Sequence, residues 1–273
     1  MVLPGSLRAD VMKSLAPSHV LSRLKNPEGK VVAVYVAYSH RGALEPLVAY
    51  QLSALRRAGL LSCLVLTSDQ FQSRSYDDIA AQTDSLILRA NLGHEFGAWA
   101  DAFRLFPELW QAERLLLLDD SLLGPGRGFT DFLEGTFRID ADMVGLVEIG
   151  GARAYLPRHF LLLNRNLLSS AGFQGMWGAI QNLQRKRDVT EAYEMQLTSK
   201  VRQLGFTASA IFTLPKERSG FSDPLTSNWK WLLEHGSPYV KANAVRWLLS
   251  AKAREWLKFA LQDAELSALV DEI

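Results

Sequence analysis

Residues 30–38 read KVVAVYVAY. Nearly every position is apolar, the run is rich in β-branched and aromatic side chains, and no alternation separates a wet face from a dry one. That pattern predicts a strand covered on both faces, as in a parallel sheet flanked by helices. Downstream, the polar loop Ser39-His40-Arg41-Gly42 leads to Leu44, Leu47, Val48, Leu52 and Leu55 at helical spacing, and Gly59 supplies the stop. A second apolar run over 60–66 ends in Thr67-Ser68-Asp69. A short acidic helix around 77–81 precedes a third strand over 85–88. A helix over 96–109 then precedes a fourth strand, residues 114–118, which ends on Asp119-Asp120-Ser121. This alternation predicts an α/β fold with a mostly parallel central sheet flanked by helices. Further strands are expected over 143–147, 160–163 and 206–212, with helices over 175–184 and 190–204. Beyond Pro215 the chain loses strand character and turns into Trp-rich helix. Upstream, Pro4, Pro17 and Pro27 punctuate a lead-in read as a helix from 9 to 15, extended to 24. The expected organisation is a helical lead-in (1–28), a catalytic domain (29–215) and a helical extension packed on the same domain (216–273).

The chain has 273 residues, 48% hydrophobic and 22% charged, with 30 Lys+Arg against 29 Asp+Glu. That balance argues against a dedicated nucleic-acid binder, which shows a basic excess. A single cysteine, Cys63, excludes a disulfide framework and a thiolate zinc site; inside an apolar strand it reads as an inert core residue. The five histidines lack ligand spacing, which disfavours a zinc hydrolase. No apolar run reaches the ~20 residues that span a bilayer, and the N-terminus lacks a signal-peptide h-region. A soluble, cytoplasmic protein is expected.

In open sheets of this kind ligands bind beyond the carboxyl ends of the strands. Ser39, Asp69, Arg89, Asn91, Asp119 and Asp120 all fall there. Two adjacent carboxylates at the end of a buried strand need a cation or hydrogen-bond donors. One reading gives Asp120 a divalent metal (Mg²⁺ or Mn²⁺) bridging to a diphosphate, since hard cations combine one or two carboxylates with phosphate oxygens. The other makes Asp120 or Ser121 a turn or helix cap. In Arg89-Ala-Asn91-Leu-Gly93-His-Glu95-Phe-Gly97, the glycines permit close backbone approach and Arg89 suits a phosphate or a base edge. Glu95 equally suits a helix start. Glu194 is either a solvated helix residue or, if it faces a cleft, a general base. Gly124-Pro-Gly126-Arg-Gly128 lacks the Lys-Ser/Thr of a P-loop, and no Gly-x-Ser-x-Gly elbow is present.

Read together, these blocks resemble the rhamnan synthesis protein F family, polysaccharide-building glycosyltransferases with a nucleotide-diphosphosugar (GT-A-like) fold. RANLGHEFGAW (89–99) is similar to its Arg-x-Asn-x-Gly-x-Asp-x-Gly-x-Trp block, with Glu95 in the Asp place. LLLLDDSLLGP (115–125) resembles Asn-Asp-Ser-x-x-Gly-Pro, with Asp119 in the Asn place. Tyr193-Glu194-x-x-Leu197-Thr198 resembles its Tyr-Glu-x-x-Leu-Thr segment, and NWKWLLEHGSPYVK (228–241) its Trp-to-Lys tail. The family's His-x-Gln-Ser-Tyr-Phe stretch is replaced by Tyr155-Leu-Pro157-Arg158-His159-Phe160.

The resemblance implies transfer of rhamnose or another hexose or deoxyhexose from a nucleotide-diphosphosugar to a growing cell-surface polysaccharide or lipopolysaccharide glycan, with inversion. It implies Asp120 as the acid that binds metal and diphosphate, Glu194 as catalytic base, and Ser39, Asp69, Arg89, Asn91, Gly93, Glu95, Asp119 and Ser121 on the donor side. Such enzymes act on lipid-linked glycans. Val245, Leu248, Leu249, Trp256 and Phe259 with interleaved cations therefore read either as an interfacial helix at the inner face of the membrane or as a helix packed on the core. A second class of answer is a catalytically silent nucleotide- or glycan-binding module that supports a partner transferase. A dinucleotide-dependent reductase is disfavoured by the missing glycine fingerprint after Tyr38.

Overall fold

A computed structural model describes residues 15–71, 76–150, 154–215, 223–246 and 251–272. Its centre is an eight-stranded sheet built around β2 (Val31–Tyr38). The others are β1 (Ser18–Ser22), β3 (Leu61–Ser68), β4 (Ser85–Ala90), β5 (Arg114–Asp119), β7 (Met143–Val147), β8 (Phe160–Asn164) and β9 (Ala208–Phe212), in the order β1-β4-β3-β2-β5-β8-β7-β9. Strands β4, β3, β2 and β5 run parallel, while β1 and the β8 connections are antiparallel. Two short strands, β6 (Leu122–Leu123) and β10 (Val240–Lys241), pair separately.

As its composition requires, β2 is buried on both faces. Val32, Val34 and Val36 meet Phe96, Trp99 and Phe103 of α3 (His94–Leu105) and Phe173 and Trp177 of α6 (Ala171–Gly178). Ala33, Tyr35 and Ala37 face α1 (Pro46–Arg57) and α4 (Phe129–Phe137). Cys63 lies in this core, and burial pushes its thiol up to about 12. The remaining helices are α2 (Asp77–Ala80), α5 (Arg165–Leu168), α7 (Lys186–Val189), α8 (Met195–Gln203), α9 (Pro224–Ser227), α10 (Trp229–Glu234), α11 (Ala242–Arg246), α12 (Ala251–Leu261) and α13 (Ala264–Glu272). A π-helical turn, Thr190–Glu194, joins α7 to α8.

Several expectations are corrected. The lead-in is not helical up to residue 24: 18–22 form an edge strand antiparallel to β4, because the open β4 ladder satisfies their backbone. The part of that helix before Leu15 lies outside the described residues. The helix over 96–109 stops at Leu105, where Pro107 forces a 3₁₀ turn. The helix expected over 175–184 instead runs Ala171–Gly178: it starts early because the Ser170 hydroxyl accepts the Phe173 N–H as N-cap, and residues 179–184 are not helical. The helix α4 was not anticipated. The segment beyond Pro215 does contain a strand, β10, and that strand matters below.

The apolar stripe of α12 is mostly core. Leu257 and Leu261 are buried with Leu123, Val240 and Val245, and Trp256 packs edge-on against Trp229. Leu248 and Leu249 lie outside the described residues. Phe259 points outward, 75% exposed. No helix among the described residues is long and apolar enough to cross a membrane.

Candidate active site

The sheet order fixes where a ligand can sit. The chain winds from β2 through β3 to β4 on one side and then places β5 on the other side of β2. The carboxyl ends of β2 and β5 thus flank the topological switch point, where such sheets open a crevice. A cleft of about 530 Å³ opens there, lined by Tyr38, Ser39, His40, Glu45, Asp120 and Ser121 on the sheet side and by Asn243, Leu269 and Glu272 from the C-terminal helices. That volume falls within the ~300–1,000 Å³ usual for small-molecule sites. Leu47 and Val48, in the first turn of α1, also line it. The first-turn amides of a helix have no acceptor within it, and Glu45 gives no side-chain cap bond here.

Asp120 stands in the cleft wall, half-buried. Its Oδ2 accepts the Tyr38 N–H at 2.7 Å. Burial pushes its carboxyl up to about 7; the charges of Asp119 and Glu95 add to this, while the Tyr38 bond opposes it. The charge of Lys186 also opposes the rise, but it does not offset burial. Among the described residues no group of three or more His, Cys, Asp or Glu could hold a metal ion. Beside it, the Tyr38 hydroxyl donates to Asp69 Oδ2 at 2.7 Å, and Asn91 Nδ2 donates to Asp69 Oδ1 at 3.3 Å. These contacts tie three strand ends together. Ser39 is buried, its hydroxyl 3.4 Å from Glu45 Oε1.

Behind Asp120 lies a buried ion network. Asp119 faces inward and accepts from the Ser121 N–H at 3.1 Å and from the Ser121 hydroxyl. His159 Nδ1 lies 3.2 Å from its Oδ2. Burial alone would raise Asp119, but the charges of His159 and Arg158 hold it far below the usual carboxylate range. Arg158 joins three carboxylates from three elements. Nη2 donates to Glu95 Oε1 at 3.1 Å, Nη1 to Glu194 Oε2 at 2.9 Å, and Nε stands 3.2 Å from Asp119 Oδ2 without making a hydrogen bond. Its backbone N–H also donates to Glu194 Oε1 at 3.2 Å. For Glu95 too, burial favours the neutral form but Arg158 and Lys186 outweigh it, and its carboxyl titrates low. His159 Nε2 lies 3.5 Å from Asp223 Oδ2 and 3.1 Å from Lys241 Nζ, which itself donates to Asp223. Burial disfavours the imidazolium, yet Asp119 and Asp223 raise its pKa overall. Lys241 arrives here because β10 pairs with β6, directly after Ser121.

The expected site residues therefore separate. Ser39, Asp120 and Ser121 line the cleft, and Asp69 and Asn91 sit at adjoining strand ends. Asp119, Glu95 and Glu194 belong to the buried network, and neither Glu194 nor Glu95 lines the cleft. Arg89 is not on the donor side: it is fully buried, pairs with Asp101 at 2.8 Å and donates to Asn182 Oδ1 at 2.7 Å. Gly93 is there for packing as well. It has φ +71°, and a Cβ would stand 2.3 Å from Asn182 Oδ1 and 2.8 Å from Asn182 Cα. Asp223 was missed, Arg158 and His159 were named only as a departure from the family's stretch, and Lys241 only as part of the tail block. The one local signal for Arg158 and His159 was a charged pair set directly before the apolar run of β8.

The sequence profile described as rhamnan synthesis protein F matches residues 64–264. No curated protein sequence matches the chain. Similar solved structures include a putative glucose-1-phosphate thymidylyltransferase from Bacillus anthracis, 8% identical with TM-score 0.39, the match covering 67% of this chain and 87% of that one. Another is the glycosyltransferase GlyE of Streptococcus pneumoniae TIGR4, 16% identical with TM-score 0.43, covering 89% of this chain and 63% of that one. A third is the galactosyltransferase LgtC with donor and acceptor sugar analogs, 11% identical with TM-score 0.37, covering 66% and 72%.

Proposed function

The profile match spans most of the chain, so the protein belongs to the rhamnan synthesis protein F family, glycosyltransferases of the nucleotide-diphosphosugar (GT-A-like) fold, and from that premise we propose what it transfers and how. The donor is a nucleotide-diphosphosugar carrying rhamnose or another hexose or deoxyhexose. The acceptor is a growing cell-surface polysaccharide or lipopolysaccharide glycan. The observation that carries this reading is Asp120: an under-compensated carboxylate in a cleft at the β2/β5 switch point, facing the first turn of α1.

The nucleoside would lie toward Tyr38, Ser39, Asp69 and Asn91, with the diphosphate between Asp120 and the Leu47 and Val48 amides. The donor set fits a divalent metal, because one carboxylate plus phosphate oxygens is the usual holding for Mg²⁺. When bound at Asp120, such an ion would offset negative charge on the departing diphosphate. In an inverting transfer the acceptor oxygen bonds to the anomeric carbon as the bond from that carbon to the phosphate oxygen breaks. The electron pair leaves with the diphosphate, and the acceptor proton passes to Glu194. A lipid-linked acceptor would bring the chain to the inner membrane face, and Phe259 with Lys252 on the outward side of α12 supports such a contact.

One observation favours a second reading. Both oxygens of Glu194 are held by Arg158, and the residue lies off the cleft. A module that binds nucleotide without consuming a donor would look like this. Thermal melting against UDP, dTDP, GDP and CDP, each with and without Mn²⁺, tests both. A ligand of the native state adds about 2.7 kcal/mol at a hundredfold excess over its Kd. One nucleotide raising the melting point in a metal-dependent way, followed by turnover of its sugar conjugate, supports the transferase. A shift without turnover supports the silent module in its nucleotide-binding form, and no shift with any nucleotide counts against the transferase and moves the glycan-binding form of the module ahead.

A further inference from the structure

Arg158 occupies a position the reaction scheme above leaves without a role. The residue is 7% exposed, its guanidinium in a pocket of carboxylates contributed by α3 (Glu95), the end of β5 (Asp119) and the π-helical turn (Glu194). Its grip on Glu194 is two-pronged: the backbone N–H takes one oxygen and Nη1 the other, which fixes the plane of the carboxylate as well as its place. The same guanidinium stands against Asp119, the chain neighbour of Asp120. One side chain thus spans from the end of β5 to the turn that carries Glu194.

Resting on the transferase reading, we propose that Arg158 is a positioning residue of the transfer step, setting Glu194 relative to the donor anchored at Asp120. The span between proton acceptor and anomeric carbon must be held within a few tenths of an ångström for efficient transfer, and a displacement of ~1 Å costs on the order of a hundredfold. Lysine at position 158 keeps the charge and the backbone N–H to Glu194 Oε1, but it lacks the planar fork that reaches Glu194 Oε2 and Glu95 Oε1 at once. Arg158 acts through Glu194 and touches no donor atom, so its loss shows in the rate of the chemical step and not in donor affinity. Two residues acting through one step are non-additive, because the second substitution removes what the first has already disabled.

The experiment is a double-mutant cycle on Arg158→Lys and Glu194→Gln. It is read as nucleoside diphosphate release from UDP-, dTDP-, GDP- and CDP-sugars with water as acceptor, beside thermal melting of each variant. The expected result is a kcat at least tenfold lower in Arg158→Lys, with donor KM within twofold of the parent protein. The double variant should be no slower than the worse single, within twofold. Losses that multiply in the double variant, an Arg158→Lys kcat within twofold of the parent, or kcat and KM moving by the same factor each overturn the assignment. If Arg158→Lys does not fold, Glu95→Ala keeps the question open to measurement: it frees one guanidinium arm, and it should lower kcat at constant KM. A parent protein that releases nucleoside diphosphate from none of the donors refutes the transferase reading itself, and the role of Arg158 with it.

Discussion

Asp119 ends β5 and Asp120 follows it directly, yet the two belong to different regions. Asp119 turns into the protein, where Ser121, His159 and Arg158 surround it and keep it ionised. Asp120 turns to the cleft, where a single backbone N–H meets it and its carboxyl rises to about 7. The buried network has its charges matched inside the chain and holds β5, α3, the π-helical turn and the C-terminal segment together. Around Asp120 the cleft supplies less compensation, and on the proposed reading the bound metal and diphosphate complete it. A region that stabilises the fold satisfies its own ions, whereas a binding region leaves some unmet.

Several substitutions put that contrast at risk. Arg158→Met removes the cation shared by three buried carboxylates and should destabilise the protein by about 3–5 kcal/mol in urea denaturation; a loss under 1 kcal/mol would mean the network is not stabilising. Asp120→Ala should slow transfer by about 10²–10³-fold, on the scale of removing one electrostatic contact to a leaving group, while the melting temperature holds or rises. A falling melting temperature would place Asp120 with Asp119. Gly93→Ala forces a Cβ onto Asn182 at a positive φ and should cost about 1–3 kcal/mol of stability, which equilibrium unfolding would detect. Nucleotide affinity should change little, because the glycine packs the fold.

The pH dependence separates the two acids more gently. Asp120 titrates at about 7 when folded, well above the ~3.9 of an unfolded aspartate. The native state therefore keeps a proton that the unfolded state has released, and stability falls as pH rises from ~4 through 7. Asp120→Asn should raise the melting temperature at pH 8 and leave it unchanged at pH 4. Metal-dependent nucleotide binding needs the ionised form, so affinity should climb about tenfold from pH 6 to pH 8, a difference of ~1.4 kcal/mol; a flat titration curve would break the link. The smallest effect is expected at Tyr38→Phe. Its exposed bond to Asp69 should matter to stability by under ~0.5 kcal/mol, while nucleotide affinity measured by calorimetry weakens severalfold.

Much of this was legible beforehand, and the misplacements have identifiable causes. The strands β2, β3, β5 and β7 are apolar runs that burial on both faces demands, so their positions and the strand-end rule led directly to Ser39 and Asp120. Arg89 was misplaced because β4 runs two residues further than its apolar run, to Ala90. Arg89 is then inside the strand, on the same face as Ile87, beneath α3 and opposite Asp101. The extra residue on β5 did the same to Asp119. Glycines 93 and 97 were read as room for a ligand, and the space they leave is filled by Asn182, a neighbour far along the chain.

The amino-acid order was enough for the fold class and for which strand ends could carry a site, since hydrophobic periodicity and turn residues act locally. It was also enough to mark Asp119-Asp120 as acids needing partners. Which acid received which partners depended on folding. Arg158, His159, Asp223 and Lys241 reach β5 through sheet pairing and a two-stranded contact between segments more than a hundred residues apart. Charge compensation is a property of distance in space, and no spacing in the sequence encodes it.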